Sequence, residues 1–217
     1  MNIKKILTLV LGVIMAVALV GCGSGDSAGA SGSSSQKVVV GANSSSSSGS
    51  AQQASGKKAL VVYYTNTGRT EQVAKDLAKA KNADFMKIEP TNEYTKEDLD
   101  YNNPDSRVSR EHDDESLRDR ITLKKTTPDN WAEYDTVYIG YPIWWGIAAW
   151  PMNAFVKGND FTGKHVVTFA TAASSPLGSS GQLLKEMAGN KGDWEDGTCF
   201  TGRIDDAKVA EWAKSLK

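Results

Sequence analysis

"ALVVYYTNTGRTEQVAKDLAKAKN", residues 59–82, begins in the pattern of a strand and ends in that of a helix. Ala59 to Tyr64 are continuously apolar or aromatic, which suits a strand buried on both faces of a parallel sheet. From Glu71 onward, Val73, Leu77 and Ala78 recur on one helical face, with Ala74 and Ala80 close by. Between the two lie Thr65, Asn66, Thr67, Gly68, Arg69 and Thr70. The N–H groups at a helix N-terminus are unpaired and electropositive, so they favour an anion. The hydroxyls of Thr65, Thr67 and Thr70 add neutral donors, and Gly68 permits close backbone approach. Arg69 either adds charge at the rim or faces solvent. A helix cap alone needs one Ser or Thr, not three around a glycine. The stretch predicts a phosphate-binding turn.

Three further runs have strand length and composition: "ADFMKIE" (83–89), "DTVYIGY" (135–141) and "KHVVTFA" (164–170). A weak fifth passes through Cys199 and Phe200, while Asp193, Glu195 and Asp196 read as a turn. "GQLLKEMAG" and "DAKVAEWAKSL" carry shorter helical patterns, the first stopped by Gly189. Strands alternating with helices predict a doubly wound α/β sandwich. Ligands of such sheets bind at the carboxyl ends of strands, where strand order reverses. The loops after residues 64, 141 and 170 are therefore the ones to inspect.

Residues 92–131 break the rhythm, being polar and charged. Segments of this kind are functional lids or solvated insertions. His112 stands there among Glu111, Asp113 and Asp114, but no second His has ligand spacing, so a solvated charged face is expected rather than a metal. His165 opens a strand and reads as structural. Cys199 reads as a small buried hydrophobe rather than a reactive thiol. No acid–base or nucleophile set is evident, and catalytic residues are left unassigned.

The second loop, "YPIWWGIAAWP" (141–151), sets Pro142, Ile143, Trp144, Trp145 and Gly146 behind a strand. Its tryptophans suit stacking on a planar ring, or else capping of the core beneath the insertion. The third, "ATAASSPLGSSG" (170–181), is small and hydroxyl-rich.

The T-x-T-G-x-T turn after an apolar strand resembles the phosphate loop of flavodoxins, which holds the monophosphate of FMN. "GYPIWWG" is similar to the flavin-ring loop of the flavodoxin-like branch that carries Pro-Ile-Trp-Trp-Gly. Thr171, Ala172, Ala173 and Ser174 stand where that branch has a Thr-Ser-Gly-Gly-Ser-Gly loop on the other side of the ring; here Ala and Ser replace the glycines and Pro176 is added. The resemblance spans residues 58–217. It implies a single flavodoxin-like doubly wound sandwich with a five-stranded parallel sheet, FMN as cofactor, and residues 65–70, 142–146 and 171–174 around it.

Two other glycine patterns lead nowhere. "GNDFTGKH" (158–165) reads GxxxxGK, but His165 replaces the magnesium-binding Ser or Thr and the motif precedes its strand. "GCGSGDSA" matches GxGxxA at Gly23, Gly25 and Ala28, yet neither strand nor helix pattern flanks it.

At the N-terminus, Lys4 and Lys5 precede an apolar stretch from Ile6 to Val20 and then "LVGC", the order of a secretory signal. "LVGC" resembles the lipobox of bacterial lipoproteins, which implies removal of residues 1–21 and a lipid on Cys22. An ordinary signal peptide or a membrane anchor is the alternative. Residues 22–57 are mostly Gly, Ser, Ala and Gln and are expected to form a disordered tether, with an end-to-end distance of roughly 30–35 Å. With Lys4 and Lys5 set aside from the 25 basic side chains, the 26 acidic ones leave a net charge near −3, which offers no basic surplus for nucleic acid. Cys199 then has no partner cysteine, so the exported domain must rest on its core.

The chain thus reads as a membrane-tethered FMN protein on the outer face of the bacterial cell membrane, or the periplasmic side of a Gram-negative one. An oxidoreductase acting on a quinone or other small acceptor is expected. A one-electron carrier between redox proteins and a flavin-free surface binding or scaffold module are the alternatives.

Overall fold

A computed structural model describes residues 58–217; the expected signal, lipidated Cys22 and tether lie outside the described residues. Five parallel strands form the sheet in the order β2-β1-β3-β5-β6: β1 (Lys58–Tyr63), β2 (Asp84–Lys87), β3 (Tyr134–Trp144), β5 (His165–Ala172) and β6 (Asp193–Thr201). A two-residue strand, β4 (Ile147–Ala148), folds back antiparallel on the end of β3. Among the described residues five α-helices accompany the sheet: α1 (Arg69–Lys81), α2 (Arg107–Asp113), α3 (Pro151–Lys157), α4 (Ser180–Met187) and α5 (Asp206–Ser215). Strand order reverses at β1, which lies between β2 and β3, so the crevice above β1 and β3 is the switch point.

Burial on both faces explains the apolar strands. Leu60 and Val62 of β1 enter one core with Val137, Ile139 and Tyr141 of β3. Val61 and Tyr63 enter the other with Tyr138, Val167 and Phe169. The alternation follows the two-residue period of a strand. Val73, Ala74 and Leu77 of α1 and Val209 and Ala213 of α5 cover this second face. Met152, Phe155 and Val156 of α3 and Leu184 of α4 cover the first.

Two expectations are corrected here. Asp193, Glu195 and Asp196 belong to β6, an edge strand paired only with β5. Its open edge tolerates the charges that made it look like a turn. Residues 92–131 are not simply solvated: Tyr94, Val108, Ile121 and Leu123 are buried, and Pro90 bridges Leu123. Within this segment Ser106 caps α2 by accepting from Ser109 N–H, and a 3-10 helix follows at Glu115–Arg120.

Candidate functional site

α1 starts at Arg69, two residues before the expected Glu71, on Gly68 with φ +83°. Thr65 is buried, and its hydroxyl accepts from Gly68 N–H at 3.0 Å, closing the turn. No side chain caps α1. The threonines therefore do not serve as a helix cap, and the N–H groups of the first turn face outward without a side-chain acceptor. A Cβ on Gly68 would meet nothing within 4 Å, so open space lies above the helix end. Thr67 and Asn66 are exposed on this lip, and Asn66 donates to the Tyr64 hydroxyl at 2.8 Å. Burial pushes the Tyr64 phenol upward, so that hydroxyl stays protonated and neutral. Neutral donors around an uncapped helix end suit a phosphate.

Arg69 and Thr70 have different work. Thr70 is buried and its hydroxyl meets that of Thr171 at 2.9 Å. The Arg69 guanidinium donates to the carbonyl of Ala172 at 3.1 Å and to that of Gly202. Both residues tie α1 to the ends of β5 and β6, so Arg69 is a brace and not a rim charge.

The second loop is not a loop. β3 continues through Pro142 and Ile143 to Trp144 and pairs with β4, Trp144 opposite Ile147 and Ile143 opposite Ala148. Trp145 (φ +46°) and Gly146 (φ +81°) form the two-residue turn. Positive φ at both central positions is the hairpin geometry that matches strand twist. Pro142 is accommodated because β1 has already ended opposite Gly140, so no strand there calls for its missing N–H, while its carbonyl accepts from Ala149 N–H at 3.1 Å.

The hairpin raises an aromatic wall. Trp150 is fully buried beneath it; Trp144 packs edge-on to Tyr64, Tyr94 and Trp150. Trp145 is 43% exposed at the tip and lies flat against His112, ring centroids 4.5 Å apart and planes 13° apart. His112 was expected on a solvated face; instead α2 carries it onto this wall.

Thr65, Asn66, Thr67, Pro142, Trp144 and Trp145 meet around a cleft of about 180 Å³. Leu99, Tyr101 and Val108 close it, all three from the segment 92–131 and none anticipated as site residues. Tyr101, 71% exposed, is the most open large aromatic among the described residues. Asn66, Thr67, Leu99 and Tyr101 also border an outer cavity of about 580 Å³. Apolar residues amid polar sequence, as in "DLDY" at 98–101, were the available signal.

Thr171, Ala172, Ala173 and Ser174 do not line the cleft. Thr171 and Ala172 are buried at the end of β5, whereas Ala173 and Ser174 are exposed beyond it. The third loop instead approaches the hairpin tip: a Cβ on Gly178 would come 3.5 Å from the Gly146 carbonyl. Ile143 and Gly146 shape the hairpin without lining the cleft. Cys199 is half-buried, its thiol pushed up by burial and directed at the Ser175 carbonyl at 3.3 Å, an arrangement for packing. Lys164 of the GxxxxGK stretch is buried and donates to the Trp131 and Tyr134 carbonyls, which leaves it no phosphate to bind. Among the described residues no group of His, Cys, Asp and Glu has the arrangement of a metal site.

A family model described as flavodoxin matches residues 58–216. The chain belongs to the flavodoxin family. A protein described as a flavoprotein from Bacteroides eggerthii is 36% identical, covering 75% of this chain and 100% of its own, with a TM-score of 0.66. A second, from Bacteroides uniformis, is 37% identical over 74% of this chain and 99% of its own, with a TM-score of 0.67. A flavoprotein from Lactobacillus acidophilus, solved in complex with FMN, shares the fold at 20% identity and a TM-score of 0.51, covering 73% of this chain and 99% of its own. No curated protein matches the chain.

Proposed function

We propose that this flavodoxin-family chain binds FMN in the cleft above β1 and β3 and acts as an oxidoreductase toward a quinone or another small acceptor. We further propose that a lipid on Cys22 holds it to the outer face of the cell membrane. The observation that carries the cofactor assignment is the uncapped N-terminus of α1, opening beside Thr65 and Thr67 and facing an aromatic wall. Membership of the flavodoxin family supports it.

FMN, when bound, supplies the electron chemistry. The first-turn N–H groups of α1, with the Thr67 hydroxyl, hold the phosphate. Trp144, Trp145 and Tyr101 border the ring site and limit water, and Val108 and Leu99 keep its wall apolar. The outer cavity past Tyr101 gives a small acceptor room, which favours an oxidoreductase over a carrier that docks only proteins.

Absorbance of the purified chain during FMN titration tests this reading. Near-stoichiometric flavin binding, much weaker for riboflavin, is expected. Flat absorbance would overturn it and leave a flavin-free surface module in its place. Turnover of a soluble quinone by the dithionite-reduced holoprotein then separates an oxidoreductase from a carrier.

A further inference from the structure

α2 separates two cavities. Val108 borders the flavin cleft, and His112 stacks on the hairpin tip. Arg107, Arg110 and Glu111 line a different cavity of about 400 Å³, which shares no wall residue with the cleft. That volume lies within the range of small-molecule sites, roughly 300–1,000 Å³.

The charge within this second cavity is one-sided. Glu111, its one carboxylate, is buried and already committed: it accepts from Arg107 Nε at 2.8 Å and from the Tyr94 hydroxyl at 2.5 Å. Arg107 is further engaged by the Asn92 carbonyl at 2.8 Å. Arg110 donates only to a backbone carbonyl, that of Asp105. Arg120 enters from the 3-10 helix on the opposite wall. Among the described residues, neither Arg110 nor Arg120 makes a direct ion pair with a carboxylate, although Asp114 lies close enough to feel the Arg120 charge, so both guanidinium forks keep donors open to a ligand. Guanidinium groups present planar forks of donors that match phosphate and carboxylate oxygens.

The remaining walls add detail. Thr122 donates to Thr91 at 3.1 Å, placing two hydroxyls beside the arginines. Leu117 and Ile121 supply an apolar side. We propose that this cavity is a second ligand site, for a small molecule carrying a phosphate or carboxylate on an apolar body. Arg110 and Arg120 bind the oxyanion, and Leu117 and Ile121 pack the body. One helix, about 10–12 Å across, separates this site from the flavin cleft.

The test is calorimetric titration of phenyl phosphate into the full chain saturated with FMN. One saturable site is expected, at least tenfold weaker in the Arg110→Ala/Arg120→Ala variant and partly retained in the double Lys variant. Leu117→Ala should weaken phenyl phosphate and leave inorganic phosphate unchanged. Both arginines are exposed, so an unaltered thermal midpoint confirms that the double variants are folded. Absence of saturable heat, or equal binding by wild type and the Ala variant, would overturn the proposal. FMN saturation keeps the probe out of the Thr65–Thr70 turn. Should the chain take no FMN, the loss of binding in the Arg110→Ala/Arg120→Ala variant, whose Thr65–Thr70 turn is unchanged, still reports this cavity alone, so the two readings fail separately. Competition by phosphatidylglycerol vesicles, but not phosphatidylcholine, would identify a lipid headgroup as the source; no competition would identify a dissolved anion.

Discussion

The two sides of the cleft are made by opposite means. The Thr65–Thr70 side is local: one strand end, one glycine at positive φ and one helix start supply every donor. The aromatic side is assembled from distant parts, with Trp144 and Trp145 from a hairpin, Tyr94, Leu99 and Tyr101 from the long connection, and Val108 and His112 from α2. Local construction concentrates recognition in a few residues, and the exposed one among its hydroxyls, Thr67, can be removed without touching the fold. Distributed construction makes recognition and stability the same interactions, so substitutions there act on both.

Trp150 offers the hardest test of that contrast. It is fully buried under the hairpin, with the Arg118 guanidinium 4.1 Å from its ring centroid. Trp150→Ala should cost about 3–5 kcal/mol in urea unfolding. A cost below about 1 kcal/mol would show that the wall stands without it. Next is Glu111→Ala, which strips Arg107 and the Tyr94 hydroxyl of their shared partner. Because the Arg107 side chain is 16% exposed, the expected loss is about 2–3 kcal/mol, below the range for fully buried pairs.

Tyr141, buried near the end of β3 in the core face covered by α3 and α4, and hydrogen-bonded to Ser180 at 2.9 Å, sharpens the contrast through pH. Burial pushes its phenol up to about 12. Unfolded tyrosine ionises from about pH 10, so between pH 10 and 12 the unfolded chain binds fewer protons than the folded one. Stability should therefore fall by about 1.4 kcal/mol per pH unit across that window from this group. Tyr141→Phe should flatten the slope in urea melts taken at stepped pH. The smallest effect belongs to the local side. Thr67→Ala should weaken FMN about five- to tenfold, equivalent to about 1 kcal/mol, while the unfolding midpoint stays put. Riboflavin binding, which needs no phosphate contact, should not change.

Legibility followed the same division. The β1–turn–α1 unit could be read from residues 59–82 because each of its features is encoded within a few neighbours. β6 was missed over Asp193–Asp196 because an edge strand need not be apolar, and composition alone then resembles a turn. Beyond Tyr141 the prolines suggested a loop; pairing with β5 up to Pro142 and then with the fold-back β4 carries the strand on. Of residues 99–108 the sequence showed only Leu99 and Tyr101 standing apolar among charges; their role depends on contacts that lie far along the chain. The third-loop residues were placed by resemblance, and the fold puts Thr171 and Ala172 behind the cleft rather than on it.

Arg69 reaches across the carboxyl edge of the sheet and takes hold of two main-chain carbonyls, those of Ala172 and Gly202. Every amino acid offers that same oxygen. A fastening of this type asks nothing of the side chains it secures, so the segment beyond Ala172 accommodates alanine, serine and Pro176 without coming loose. The hold on the third loop thus rests on the identity of one residue at the start of α1.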